Sequence, residues 1–382
     1  MRIGIDYRSA LVNREGIGRY TRELVRGMVE LGFDQHLGLF GYTLAKARFS
    51  REELGLAGSR AELVRLRVPS KAVPWFLRKT GKGVDDLVGG CAVYHHTQPH
   101  LLPVREAPEV VTIFDCIYML DAGYMDPASA ERMAAIAREQ VERARLILVP
   151  SKFVGAEVVM TFGVYPSRIV VTPLGCDHVA RELPPGGFPA PRDPYLLTVC
   201  RVDARKNHPR MLSAFERLVA EGFEHRWIIA GPPGHGHEDF LRALDRSPAR
   251  DRVEWRRDVP DAQLPRLYSG ASAFLFASLN EGYGLPPVEA MACGAPVVTS
   301  CVTSLPEVCG DAALLVEPTD VDEIFEATRA VLGDPELAAD LRKKGHARAR
   351  ELSWRECAKS TLAAYRQATE PDGVEDKLFR AL

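Results

Sequence analysis

Ser278-Leu279-Asn280-Glu281-Gly282-Tyr283-Gly284-Leu285-Pro286-Pro287-Val288-Glu289-Ala290-Met291-Ala292-Cys293-Gly294-Ala295-Pro296-Val297-Val298 is the stretch from which the rest of the chain can be read. The apolar run Ala273-Phe274-Leu275-Phe276-Ala277 before it predicts a buried strand. Two glycines then open a loop, and Pro286 and Pro287 mark a first helical turn, where a missing amide hydrogen loses no partner. A short helix is therefore predicted from Pro286 to Gly294, followed by a strand over 296–299. The amides of Gly284 and Leu285 sit at that helix's start, where free N–H groups and the helix dipole favour an anion.

Glu281 and Glu289 frame this anion site. Carboxylates repel phosphate but accept hydrogen bonds from hydroxyls, so the pattern suits a polyhydroxylated ligand that carries phosphate. The phosphate would rest on the amides, with sugar hydroxyls at Glu281 and a ribose at Glu289. Alone, the two glutamates would read as a turn residue and a solvated helix residue. The glycines, prolines and flanking strands favour the ligand.

Glu281, seven residues and Glu289 match the E-x7-E signature of the family 4 retaining glycosyltransferases, which have the GT-B architecture. The flanks 280–285 and 289–298 match as well, and the chain resembles the bacterial polysaccharide mannosyltransferases among them. The resemblance implies an α/β fold of two doubly wound Rossmann-like domains facing across a cleft. It also implies that Gly282, Tyr283, Gly284 and Leu285 face a nucleotide sugar.

Length and composition agree with such a plan. A chain of 382 residues exceeds the size at which one core stops growing. A formal net charge of −2 makes no electrostatic case for nucleic acid. Eight cysteines without a C-x-x-C pair point to a reducing cytosol rather than a disulfide framework or zinc site. The N-terminus enters a strand at once, with no signal-peptide segment, and no apolar run is long enough to span a bilayer. A cytoplasmic protein is expected, at most peripheral on the inner face of the membrane.

The first half, 1–181, alternates strand and helix. Strands are predicted at 3–6, 36–42, 62–68, 92–95, 110–114, 146–150 and 169–172. After the first comes the loop 13–19 and a helix from Tyr20 to about Leu31. Strand, glycine loop and helix form the phosphate-binding arrangement of doubly wound sheets, although Thr21 breaks a dinucleotide G-x-G-x-x-G. Gly16 and Gly18 make a plain tight turn or, as the resemblance implies, contact the donor diphosphate. Asp115 follows a strand and is a candidate catalytic residue; Phe114 stands where many family members have a histidine that touches the donor sugar. His95 and His96 either line the cleft or are structural. The run 73–82 places Trp75 and Phe76 before Arg78, Lys79 and Lys82. It suits either an anionic membrane surface or lipid-diphosphate acceptor, or an amphipathic helix packed on the domain.

Residues 182–194, crowded with proline and glycine, are predicted to be an interdomain linker. A donor-binding domain is then expected over 195–353, and a last helix, about 354–382, crossing back to the first domain. Arg201 and Lys206, five positions apart on a strand-to-helix loop, can converge on a diphosphate, and they match the family's G-R-x-x-x-x-K-N element. Val259 falls in a segment that in the family lies beside the nucleotide base, though burial of its side chain explains it equally well. Asp320-Val321-Asp322 is formally the metal motif of the other major glycosyltransferase architecture, but at a helix start acidic residues act as caps.

The implied reaction moves a hexose from a GDP- or UDP-sugar to a glycan or lipid-linked acceptor with retention, and needs neither metal nor cofactor. Glu281, Arg201, Lys206 and Asp115 are the catalytic candidates, and Glu289 would hold the ribose. Two alternatives stay open at this level: a nucleotide-sugar epimerase or hydrolase of the same fold, and a catalytically silent nucleotide-sugar-binding subunit of a glycan-assembly complex.

Overall fold

Two wholly parallel sheets organise the protein, seen in a computed structural model that describes residues 1–14, 16–44, 49–69, 72–120, 123–184, 188 and 191–370. The first sheet contains β1 (Ile3–Asp6), β2 (Leu37–Tyr42), β3 (Glu62–Leu66), β4 (Val93–His96), β5 (Glu109–Thr112), β6 (Leu146–Val149) and β7 (Ile169–Val171). Their order is β3-β2-β1-β4-β5-β6-β7. In the second sheet are β8 (Tyr195–Val199), β9 (Arg226–Ala230), β10 (Val253–Arg256), β11 (Ala273–Phe276), β12 (Val297–Ser300) and β13 (Ala313–Val316), ordered β10-β9-β8-β11-β12-β13. Helices cover both faces, so the central strands are apolar at nearly every position; β6 reads Leu-Ile-Leu-Val and all four are buried.

Each sheet reverses direction of growth beside its first strand. β1 pairs with β2 on one side (Ile3 opposite Leu37) and with β4 on the other (Ile3 opposite Val93). β8 lies likewise between β9 and β11, with Leu196 opposite both Trp227 and Ala273. At such a switch point the helices diverge to opposite faces and leave a crevice outside the strands' carboxyl ends. The loops that follow β1, β5, β8, β9 and β11 contribute to one shared cleft.

Some predicted limits move. The helix expected from Tyr20 begins at Ile17, so Gly18 lies in its first turn rather than in the glycine loop, and Gly16 is its N-cap. β5 ends at Thr112, which leaves Phe114 and Asp115 in the following loop instead of at the strand's end. Arg8–Val12 forms a short helix for which there was no expectation. The run 73–82 contributes to a helix, Ala72–Thr80, that buries Val73 and Leu77 while Trp75 and Phe76 are 62% and 47% exposed. Of the expected linker, 185–187 and 189–190 lie outside the described residues, as do 371–382 of the expected last helix.

That last helix, Trp354–Thr369, is capped by Ser353, whose hydroxyl accepts from the Glu356 amide. It packs on the helix Ile17–Glu30 of the first half. The approach needs Gly27, since a Cβ there would meet the Trp354 carbonyl oxygen at 2.7 Å and the Ala358 Cβ at 3.0 Å. The Trp354 amide also donates to Asp177 Oδ1 (2.8 Å), and Tyr365 OH meets His95 Nδ1 (2.6 Å). The chain's end thereby joins the core of its beginning.

Candidate active site

The cleft encloses about 1030 Å³ and is lined from both halves. Gly16, Arg19, Phe114 and Asp115 come from the first, and Arg201, Arg205, Lys206, Val259 and the run 281–286 with Glu289 from the second. Arg201, Lys206 and Gly284, the three positions that had to share one ligand, border the same space.

Glu281 is a buried charge of this cleft. The loop after β11 turns it inward, and its carboxylate accepts from Ser278 Oγ (2.6 Å) and pairs with Arg205 (3.0 Å) and with Lys206 Nζ. Burial by itself would raise the pKa of this group, which is 7% exposed; Arg205, Lys206 and the hydrogen bonds from Lys206 and Ser278 outweigh it and bring the pKa to about 2. The cluster is held from behind: the Arg205 guanidinium donates to the Asn280 carbonyl, and Ser304 Oγ donates to the Glu281 carbonyl (2.8 Å). Lys206 Nζ also lies 4.9 Å from the Phe276 ring centroid, a cation–π contact.

Beside it starts the helix Leu285–Ala292, with Gly284 at its N-cap, φ +92°. That angle is left-handed, and a Cβ there would strike the Leu305 side chain, so glycine is required on two counts. Gly282 is needed for a different reason: its Cβ would run into the Phe114 carbonyl oxygen of the opposite domain. Ser151 Oγ donates to the Gly282 carbonyl (2.8 Å) and Tyr283 OH to the Leu174 carbonyl (2.6 Å), so the loop is bonded to the first domain.

Glu289, 1% exposed, is met from three sides. Arg19 Nη1 reaches Oε1 at 2.8 Å, His178 Nε2 lies 3.1 Å from the same oxygen, and Tyr268 OH donates to Oε2 at 2.7 Å. Trp354 Nε1 donates to His178 Nδ1 (3.0 Å), which places the imidazole proton on Nε2. Burial again pushes this carboxyl's pKa up, but Arg19, His178 and Tyr268 together hold it at about 2.

Asp115 borders the cleft across from the Glu281 cluster. Burial raises its pKa, against the opposing pull of Arg205 and of the Ile117 amide. Glu157 senses it in turn: burial and the nearby Asp115 push the Glu157 carboxyl to about 7. Phe114, in the place of the family's histidine, meets Tyr20 edge-on with centroids 4.9 Å apart.

Other candidates fall elsewhere. Gly18 does not border the cleft; a Cβ on it would collide with the Asn13 carbonyl oxygen, so its role is to let the loop lie against the helix. His95 is fully buried, with both ring nitrogens engaged by Tyr365 and Thr112, and burial lowers its pKa to about 3. His96 pairs with Glu109 at 2.7 Å, away from the cleft. Asp320 caps a helix by accepting from the Asp322 and Glu323 amides (2.8 and 3.1 Å).

Four residues escaped the sequence reading: Arg205, Arg19, His178 and Tyr268. Arg205 and Arg19 each stand next to a residue already singled out, Lys206 and Gly18. Adjacency on a loop gives no direction to a side chain. His178 and Tyr268 reach Glu289 only through packing between elements, from 111 and 21 residues away along the chain.

A family model described as glycosyl transferases group 1 matches residues 181–348, and one described as glycosyl transferase 4-like domain matches 15–175. The O-antigen chain mannosyltransferase B of Escherichia coli is 33% identical over 281 residues, covering 71% of this chain and 74% of that protein. A D-inositol 3-phosphate glycosyltransferase of Kribbella flavida is 30% identical over 70% of this chain and 68% of its own. Among solved structures, sucrose-phosphate synthase from Thermosynechococcus elongatus superposes with a TM-score of 0.71 at 19% identity, covering 96% of this chain and 98% of that one. Anabaena HepE in complex with UDP and glucose gives 0.70 at 13% identity, over 96% and 99%. At these identities the two structures speak for the fold, the same two-sheet GT-B architecture.

Proposed function

The chain belongs to the group 1 glycosyltransferases with a 4-like N-terminal half, and from that premise we propose that it transfers a hexose from a nucleoside diphosphate sugar to a hydroxyl of a glycan or lipid-linked acceptor, retaining the anomeric configuration and using no metal. Mannose is favoured as the hexose by the name of the Escherichia coli relative, and GDP-mannose as the donor by the resemblance to bacterial polysaccharide mannosyltransferases. The second domain holds the donor and the first the acceptor, with the division in 182–194.

The observation that carries the proposal is the Glu281 cluster: one ionised carboxylate, two cations and a helix N-terminus facing a single cleft. As the anomeric carbon–oxygen bond breaks, negative charge collects on the departing diphosphate. Arg201, Arg205, Lys206 and the Gly284 and Leu285 amides stabilise it there by preorganised electrostatics. Glu281, kept ionised, accepts from the hexose hydroxyls and fixes the sugar's orientation. Asp115 borders the sugar from the opposite domain. The acceptor oxygen bonds to the anomeric carbon on the face the diphosphate leaves, and its proton passes to a departing phosphate oxygen. Glu289 binds the ribose and Val259 lies against the base.

No helix of the described residues is long and apolar enough to cross a membrane. The helix Ala72–Thr80 offers exposed Trp75 and Phe76 beside Arg78 and Lys79, which supports a peripheral place on the inner membrane face.

A thermal-shift panel of UDP-, GDP-, ADP- and dTDP-sugars tests the donor, because a ligand bound only by the folded state raises Tm. GDP-mannose is expected to give the largest rise. Incubation with that donor and an acceptor glycan, in EDTA, should yield a product whose anomeric configuration by NMR equals the donor's. Inversion, or a requirement for added divalent cation, would refute the mechanism.

A further inference from the structure

Two non-glycine residues have a positive φ among those described, Asn207 at +61° and Thr303 at +60°, and both stand beside the Glu281 cluster. Asn207 follows Lys206, and its side chain donates to the Ala277 and Pro318 carbonyls (2.9 and 2.6 Å). Asparagine visits the left-handed region readily. Threonine does not, because its branched Cβ crowds the following carbonyl, so Thr303 is held there by its surroundings.

The loop after β12 is anchored at both ends. Ser300 Oγ donates to the Ser278 carbonyl (2.6 Å) and the Cys301 amide to the Val316 carbonyl (2.8 Å). The loop then enters the short helix Leu305–Cys309, whose Glu307 accepts from the Lys152 and Phe153 amides of the first domain. Between these anchors, Thr303 Oγ1 accepts from the Glu281 amide (3.2 Å) and Ser304 Oγ donates to the Glu281 carbonyl (2.8 Å). Two consecutive hydroxyls thus hold the peptide planes on either side of Glu281. That fixes its φ and ψ, and with them the direction of the Cα–Cβ bond that carries the carboxylate. Arg205, Lys206 and Ser278 hold the carboxylate's far end, but in the donor reading the diphosphate draws on the same two cations. The hold on the backbone meets no such competition. A carboxylate that reads a set of hydroxyls must keep its direction to within about 10–20°.

Resting on the donor reading above, we infer that Thr303 is a positioning residue for sugar recognition: its left-handed backbone aims the hydroxyl at the Glu281 amide, and the strained conformation is kept because it directs the Glu281 carboxylate at the hexose. Loss of the hydroxyl should weaken the sugar's share of donor binding and leave the nucleoside diphosphate's share alone. Relief of the strain should raise stability without restoring the sugar's share, as expected of a conformation kept for function.

Calorimetry on the full chain measures GDP, GDP-mannose, UDP and UDP-glucose binding to the wild type, Thr303→Ser, Thr303→Ala, Thr303→Gly, Glu281→Ala and the double variant Glu281→Ala/Thr303→Ala, beside a thermal melt of each. The quantity read is the affinity of a sugar nucleotide divided by that of its nucleoside diphosphate. Thr303→Ala should lower this ratio by about threefold or more, while the diphosphate alone binds within about twofold of the wild type. Thr303→Ser keeps the hydroxyl and should keep the ratio. In the Glu281→Ala background the loss of the Thr303 hydroxyl should have no further effect, because it acts through that carboxylate. Thr303→Gly should melt above Thr303→Ala, the reverse of their order at negative φ, with a ratio equally low. An unchanged ratio in Thr303→Ala, a drop of the same size in the Glu281→Ala background, or a Thr303→Gly that melts below Thr303→Ala overturns the inference; the donor reading survives if Glu281→Ala alone lowers the ratio. If Glu281→Ala keeps the wild-type ratio, or no sugar nucleotide binds, the donor reading fails and this inference with it.

Discussion

Arg205→Ala separates two roles that one side chain combines in this cleft. The guanidinium pairs with Glu281 Oε2 at 3.0 Å and donates to the Asn280 carbonyl, and it borders the space assigned to the diphosphate. Stripping a buried carboxylate of its only partner costs about 3–5 kcal/mol. Glu281 would keep Lys206 and Ser278, so the expected loss of stability is smaller, about 2 kcal/mol. For a cooperative unit of roughly 150–250 residues that corresponds to a Tm lower by about 4–8 °C. The catalytic effect should be larger, because a preorganised donor to developing negative charge is typically worth about 10²–10³ in rate. Initial-rate kinetics of Arg205→Ala, Glu281→Gln and the double variant, beside thermal melts of each, make a cycle that apportions the two. If Arg205 meets the leaving group, its removal still lowers kcat at least tenfold in the Glu281→Gln background. An Arg205→Ala effect on kcat/KM that vanishes in that background would refute direct contact and reduce the residue to a support for Glu281.

Other outcomes are open to simpler measurement. Glu281 and Glu289 each fall from an ordinary 4.5 to about 2 in the fold, so each contributes on the order of 3 kcal/mol of stability that is present above pH 4.5 and lost as pH drops toward 2. Glu157, raised to about 7, works in the opposite sense, since its contribution fades as pH rises from 4.5 through 7. Urea midpoints should therefore peak at about pH 5, decline gently toward pH 7 and fall steeply on the acid side; a flat profile from pH 5 to 3 would contradict the two buried carboxylates. Gly18→Ala forces a methyl into the Asn13 carbonyl and should cost about 1–3 kcal/mol by overpacking; denaturant melts that leave this variant within about 0.5 kcal/mol of the wild type would refute the placement of the helix start. Glu307 accepts from the Lys152 and Phe153 amides of the opposite domain at 2.9 and 3.2 Å. Glu307→Ala should loosen the closed cleft and raise donor KM several-fold at a nearly constant Tm, and an unchanged KM would count against that bridge.

Much of this was legible in the residues because it follows from local rules. The strand–glycine–proline–helix run of 273–294 is dictated by backbone chemistry, with Gly284 at a positive φ and Pro286 and Pro287 in the first turn. The alternation of apolar runs with helices requires a parallel sheet, and twice over it yields two of them. Arg201, Lys206, Glu281 and Glu289 could be named because their spacings match the family's motifs and border a cleft that any doubly wound sheet must have.

What the chain alone left undecided is how those charges are partnered. His95 and His96 occupy adjacent positions, yet one is locked between Tyr365 and Thr112 and the other pairs with Glu109. Arg19 and Glu289 are 270 residues apart, and only the opposed domains bring them to 2.8 Å. Gly16 and Gly18 look alike as a motif, but one caps a helix at the cleft and the other fits beneath a carbonyl. Periodicity and turn chemistry act over a few residues and so are written in the sequence. Neutralisation of a buried charge depends on whichever side chains packing delivers to it, and that is settled only when the two domains meet.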